Sequence, residues 1–187
     1  MLRYFKKFGK YVEITGFSNV KIDNAESFLK AIREDQQRAA VQFFNAELVA
    51  TWQHLYFAVL NALMAFKNKR NISKNVEVEV MLYASAQRQI RKAIPLVGVK
   101  RESADVAAVI IGEDRDAVNT TLSSVSKHIR SEPDATVLEF SPSKEQRIRS
   151  AFRISEKELK AVVKSGAVQQ ALVDLVCERM ALLSTQI

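Results

Sequence analysis

Cysteine, glycine and proline are scarce in this 187-residue chain, which holds one Cys, five Gly and three Pro. A lone Cys177 cannot close an internal disulfide, and without Cys or His companions at ligand spacing it argues against a structural zinc site. With 48% hydrophobic and 26% charged residues, the composition excludes disorder and collagen-like repeats. Long apolar runs are missing as well. The longest mostly apolar stretch, Leu55 to Phe66, contains Asn61 and is shorter than the roughly 20 residues that cross a bilayer. Met1 to Lys10 is basic and lacks the apolar run of a signal peptide. No stretch is rich enough in Pro, Gly and Ser to divide the chain, and no solenoid-length repeat is present. The expectation is one domain over residues 1–187 of a reduced, cytoplasmic protein with no membrane partner.

Catalytic constellations are also lacking. An enzyme of this size should show a nucleophile with its base, a metal cluster or a phosphate-cradling glycine loop, and none is legible. His54, among Trp52, Leu55 and Tyr56, reads as a satisfied core or contact histidine. His128, near a helix end, reads as a favourable dipole contact, and Cys177 as a small hydrophobe on an apolar stripe. Glu77 and Glu79 would share a face only on a strand, where a charged sheet edge explains them. Asn71-Ile72-Ser73 and Asn119-Thr120-Thr121 match a glycosylation pattern, which without a secretory signal is chance. No catalytic residue, metal or cofactor is expected.

What is present is positive charge. Lys and Arg number 28 against 21 Asp and Glu, a net +7. Between Lys67 and Arg101 there are nine basic residues against Glu77 and Glu79 alone, so one segment matches the whole excess. Concentrated charge favours a polyanionic partner through counterion release. Arg88, Arg91 and Lys92, spaced by three and four, fall on one side of a helix, close enough to track phosphates. The competing reading is a solvated surface that only confers solubility. Tyr56 and Tyr83, which could stack on bases, read more naturally as core.

The periodicity predicts a strand at Tyr11–Phe17, a helix from Asp23 and Glu26 to about Arg33, and a buried strand at Ala40–Phe44. Asn45 is expected to cap the longest helix, which runs to about Lys67. Asn75–Ala84 fits either strand or helix. Gln87–Val97 reads as a helix with Ile90, Ala93, Ile94 and Val97 inward and Gly98 in the left-handed closing position. Val106–Ile111 should be an interior strand, Asp114 the cap of a helix to Ile129, and Thr136–Phe140 another strand. Ser141-Pro142 and the capping box Ser155 to Glu158 start two helices. The last helix, about Ala167 to Ser184, carries an apolar stripe from Val168 to Leu183. The pattern is α+β with about four strands.

Gln53-His54-Leu55-Tyr56-Phe57-Ala58-Val59 with Ala62, Ala65 and Phe66 forms one block of a larger pattern. The others are Val78-Glu79 with Met81 to Ser85, Arg88-Gln89-Ile90 with Ala93-Ile94, and Gly98-Val99. Together they resemble the PRPK-binding-protein family, the small non-catalytic subunits of the KEOPS complex. The likeness extends from about Tyr11 to the C-terminus and is least clear at Ser131–Ser155, so no role is carried onto Arg147, Arg149 or Arg153. It implies a single domain with a small, mostly antiparallel sheet flanked by many helices, and a helix at Asn75–Ala84.

The resemblance further implies a subunit that binds and regulates a small atypical protein kinase. That subunit recruits tRNA through its CCA end for threonylcarbamoyladenosine (t6A) formation beside the anticodon, with the chemistry left to other subunits. DNA is not an expected partner. On this reading Lys67, Lys69, Arg70, Lys74, Arg88, Arg91 and Lys92 hold phosphates, while groups around Ser85 and Gln89 read terminal bases. The kinase is expected on the last helix, through Leu172, Leu175, Arg179, Met180 and Leu183. The alternative is a kinase-binding subunit with no RNA contact.

Overall fold

The structure, a computed structural model, describes residues 1–22, 24, 27, 30, 32, 38–163, 167–183 and 185. The helix expected to start at Asp23 and Glu26 lies outside the described residues. Four strands are present: β1 Leu2–Phe5, β2 Lys10–Phe17, β3 Ala39–Asn45 and β4 Val106–Gly112. The described α-helices are α1 Trp52–Lys67, α2 Val76–Ala84, α3 Ile90–Val97, α4 Arg115–Ile129, α5 Pro142–Phe152, α6 Glu156–Val162 and α7 Val168–Leu183. The fold is α+β with a four-stranded antiparallel sheet. Contacts divide the chain into two compact units, residues 1–46 with 98–137, and 47–97 with 138–187.

The first unit is built on the sheet, in the order β1-β2-β4-β3. Gly112 of β4 stands opposite both Tyr11 and Ala39, and Val106 opposite both Phe17 and Asn45, so β4 is the centre of the ladder. All seven of its residues are buried, as the nearly continuous apolar run predicts. Asp114 caps α4 by accepting the Ala117 amide at 2.7 Å. Val118, Val125 and Ile129 of that helix join Phe17, Phe43 and Ile110 of the sheet in one apolar core.

One expectation fails here. Thr136–Phe140 is not a strand: a 3-10 turn covers Ala135–Leu138. The carboxylate of Asp134 accepts the Thr136 amide at 3.0 Å and its hydroxyl at 2.5 Å, closing a local turn that competes with any ladder. These bonds hold the Asp134 carboxyl below its usual pKa. The turn also lies tight against β2, because a Cβ on Gly16 would fall 2.6 Å from Val137 Cβ and 2.8 Å from the Asp134 carbonyl. The fourth strand is instead β1, whose four residues are too short to show a period, and Gly9 at φ +64° makes the turn into β2.

In the second unit α1 starts at Thr51, whose hydroxyl accepts the Gln53 amide at 3.3 Å. Asn45 is not the cap, since β3 runs through it and a 3-10 turn at Ala46–Leu48 intervenes. Pro142 opens α5, and both halves of the capping box at Ser155 and Glu158 are formed on α6. Helix α7 packs against α1, α2, α5 and α6. It buries Leu172 and Met180 completely, each burial contributing about 1.5–3 kcal/mol.

Candidate functional site

Helix α1 ends in a Schellman motif. Lys69 donates its amide to Phe66 at 3.1 Å and Arg70 to Ala65 at 2.9 Å, with Lys69 in the left-handed region at φ +55°. The end of α2 repeats the device with Ala86 at φ +51°, its amide on Tyr83 and that of Gln87 on Leu82. Glycine normally fills this position, and an L side chain there costs about 1–2 kcal/mol. Gly98, expected in that conformation, does not adopt it. The two turns carry cations into a cleft of about 680 Å³ lined by Lys69, Arg70, Asn71, Ile72, Tyr83 and Arg88, among others.

The wall of this cleft is held by a residue that sequence reasoning passed over. Glu79 is fully buried in the first turn of α2 and accepts the Ser73 amide at 2.7 Å and the Ile72 amide at 3.0 and 3.1 Å. A carboxylate withdrawn from water costs several kcal/mol unless its oxygens are bonded. An amide donating to a charged acceptor returns about 1.5–3 kcal/mol. Asn71 adds a bond to the Ser73 carbonyl at 2.9 Å, and Asn75 donates to the Ser73 hydroxyl at 3.2 Å. This arrangement needs α2 to be a helix, and it resolves the strand-like alternation of Val76, Val78 and Val80. Burial and Glu79 push the Tyr83 hydroxyl pKa up, against an opposing effect of Arg88.

The cations are arranged as follows. Lys67, Lys69, Arg70, Lys74, Arg88, Arg91 and Lys92 are all exposed on the second unit. Lys69, Arg70 and Arg88 line the cleft, while Lys67, Lys74, Arg91 and Lys92 do not. Lys69, Arg70, Lys74, Arg91 and Lys92 make no ion pair with a described residue. Gln89 is exposed, but Ser85 is fully buried and its hydroxyl donates to the Leu82 carbonyl at 3.0 Å, so that side chain cannot meet a base. Helix α3 starts at Ile90 rather than Gln87, because Ala86 turns the chain. Only Ala93 and Val97 of its expected inward face are buried, while Ile90 and Ile94 are 37% and 49% exposed.

His54 is a core residue. Its Nε2 donates to the Ala84 carbonyl at 2.8 Å and its Nδ1 accepts the Ala50 amide at 3.3 Å, joining α1 to the end of α2. Burial pushes its pKa down to about 4, against the opposing Ala84 bond. Burial likewise pushes the Cys177 thiol up to about 11, which keeps it protonated and unreactive near neutral pH. Among the described residues no cluster of His, Cys, Asp or Glu is placed to hold a metal, and no helix is long and apolar enough to cross a membrane.

Residues 17–184 match the family model described as kinase binding protein CGI-121. The chain belongs to the CGI-121 family. Over 113 residues it is 37% identical to a protein of Methanocaldococcus jannaschii named regulatory protein Cgi121, covering 60% of this chain and 70% of that relative. This is the PRPK-binding-protein family that the sequence blocks resemble. In this CGI-121 chain the expected kinase anchors are not surface residues. Leu172, Leu175, Met180 and Leu183 are 0–4% exposed, because their stripe is the inner face of α7. Arg179 is held at 2.5 Å by Glu158 of the α6 capping box. The Ser155 amide foremost, then the Arg179 bond and the Ser155 hydroxyl, lower the Glu158 carboxyl to about 2.

Proposed function

We propose that this chain is a non-catalytic, kinase-binding regulatory subunit that also recruits tRNA for t6A formation by other subunits of a KEOPS assembly. The single-stranded CCA end enters the cleft. Lys69, Arg70 and Arg88 take its phosphates, and the exposed Lys67, Lys74, Arg91 and Lys92 follow the backbone beyond. Gln89 and the amide side chain of Asn71 offer hydrogen bonds to base edges, and the exposed Ile72 an apolar surface for a base. The observation that carries this reading is the convergence of three cations on one cleft of about 680 Å³, a volume suited to a small ligand or a strand end. Family membership and the relative's name support the kinase-binding, regulatory half.

With the stripe of α7 buried, the exposed apolar pair Ile90 and Ile94 on α3 becomes the preferred kinase contact. Fluorescence anisotropy with intact tRNA and with tRNA lacking CCA, over a salt series, tests the RNA half. Tighter binding of the intact molecule and a steep salt dependence are expected. Equal affinity for both would remove the CCA assignment, and no binding at all would leave a kinase-binding subunit without RNA contact. Ile94→Asp should weaken co-purification with the kinase while leaving the thermal melt unchanged.

A further inference from the structure

Two turns approach the cleft: the one after α2 is tied to α1 by His54 through the Ala84 carbonyl, and the one after α1 is braced by a buried carboxylate. The cationic loop after α1 is set at its start by the backbone motif at Lys69 and Arg70. Two residues later the direction of the chain is fixed by the buried carboxylate of Glu79, through the amides of Ile72 and Ser73. Among the described residues no cation pairs with Glu79, so its charge is balanced by backbone donors alone. An apolar side chain would fill a buried helix position without that desolvation cost. The carboxylate therefore has an effect that packing does not supply: it draws two loop amides inward and leaves the side chains on either side, Arg70 and Lys74, exposed.

We propose that Glu79 is a positioning residue for nucleic-acid binding, acting through the loop and touching no ligand. Its carboxylate holds Arg70 and the loop wall toward the cleft in advance of binding, so that little ordering remains when the RNA arrives. The proposal rests on the reading of the cleft as the tRNA site. It goes beyond that reading by giving an acidic residue a role in polyanion affinity, opposite to what simple charge counting predicts.

The test compares the intact chain with Glu79→Gln and Glu79→Asp by thermal melting, amide exchange at Ile72 and Ser73, and tRNA affinity across a salt series. Glu79→Gln is isosteric, yet its NH2 group faces an amide donor where an acceptor stood. Exchange at both amides should quicken about tenfold or more, and tRNA affinity should fall about tenfold despite the removal of a negative charge. The slope of log affinity against log salt should flatten by about 0.7 for each phosphate that a misplaced loop no longer reaches. Glu79→Asp retracts the carboxylate by one methylene and should fall between the two, and it carries the test if the Gln variant does not fold.

Val176→Ala, a core lesion on α7, should lower the melt without changing the salt slope. Faster exchange with unchanged tRNA affinity makes Glu79 a purely structural residue and overturns the proposal, as does slow exchange in both variants. If the unaltered chain itself fails to bind tRNA, the reading of the cleft falls. The exchange rates then still report whether the carboxylate holds the loop.

Discussion

The two units differ in charge far more than in size. The sheet unit carries 13 Lys and Arg against 12 Asp and Glu, and the helical unit 15 against 9. Described ion pairs occur in both, including Lys10–Glu113 in the first and Arg147–Glu47, Lys160–Glu156 and Arg179–Glu158 in the second. In the helical unit none of those pairs involves the stretch Lys67 to Lys92. Total charge hides this difference, and only its distribution along the chain reveals it. The sheet unit is nearly neutral, and most of the excess lies in the helical unit, where Lys69, Arg70 and Arg88 line one cleft.

The comparison breaks most severely if α7 is not interior to the helical unit. Leu172→Ala should cost about 2–5 kcal/mol in urea unfolding, whereas Leu182→Ala on the 45%-exposed face should stay within about 0.5 kcal/mol. Next, Arg70→Glu with Arg88→Glu should weaken tRNA binding about 100-fold in anisotropy at moderate salt. The same change at Lys21 and Lys127 of the sheet unit should shift it by no more than about threefold. An equal loss from both pairs would mean that charge acts diffusely.

A smaller effect is expected with pH. His54 has a folded-state pKa of about 4 against an ordinary 6.5, so the unfolded chain takes up the proton first. Its contribution is complete above pH 6.5 and is lost as pH falls toward 4, at about 1.4 kcal/mol per pH unit. Urea titrations at pH 7 and 5 should show this, and His54→Gln should remove that part of the slope. Smallest is a gain. Ala86→Gly should stabilise the helical unit by about 1 kcal/mol, read as a rise in melting temperature, because glycine takes the left-handed turn without strain.

Much of the fold was legible because its signals are local. Asp114, Ser155 with Glu158, and Pro142 announce their helices within four residues, and the apolar run of β4 can hardly be anything but interior. The misses share a cause of the opposite kind. Whether Thr136–Phe140 pairs, whether Asn45 ends a strand or caps a helix, and whether Ile90 faces inward depend on partners distant in sequence. Strand β1 is readable only once β2 is beside it.

At the candidate site the basic residues could be found by counting. The helical form of α2 came from family likeness, since VEVEV alternates like a strand. Glu79 was dismissed as an edge charge because its partners are backbone amides, which leave no trace in a sequence pattern. An acidic residue within an otherwise apolar segment was the signal available.

The order β1-β2-β4-β3 has a consequence for synthesis and for truncation. The strand that joins the two halves of the sheet is last in the chain, so a nascent polypeptide ending before Val106 has β2 and β3 with nothing to zip them together. A fragment stopped at Val97 should therefore present open strand edges and clump, while the sheet completes itself only after half the helical unit has already left the ribosome.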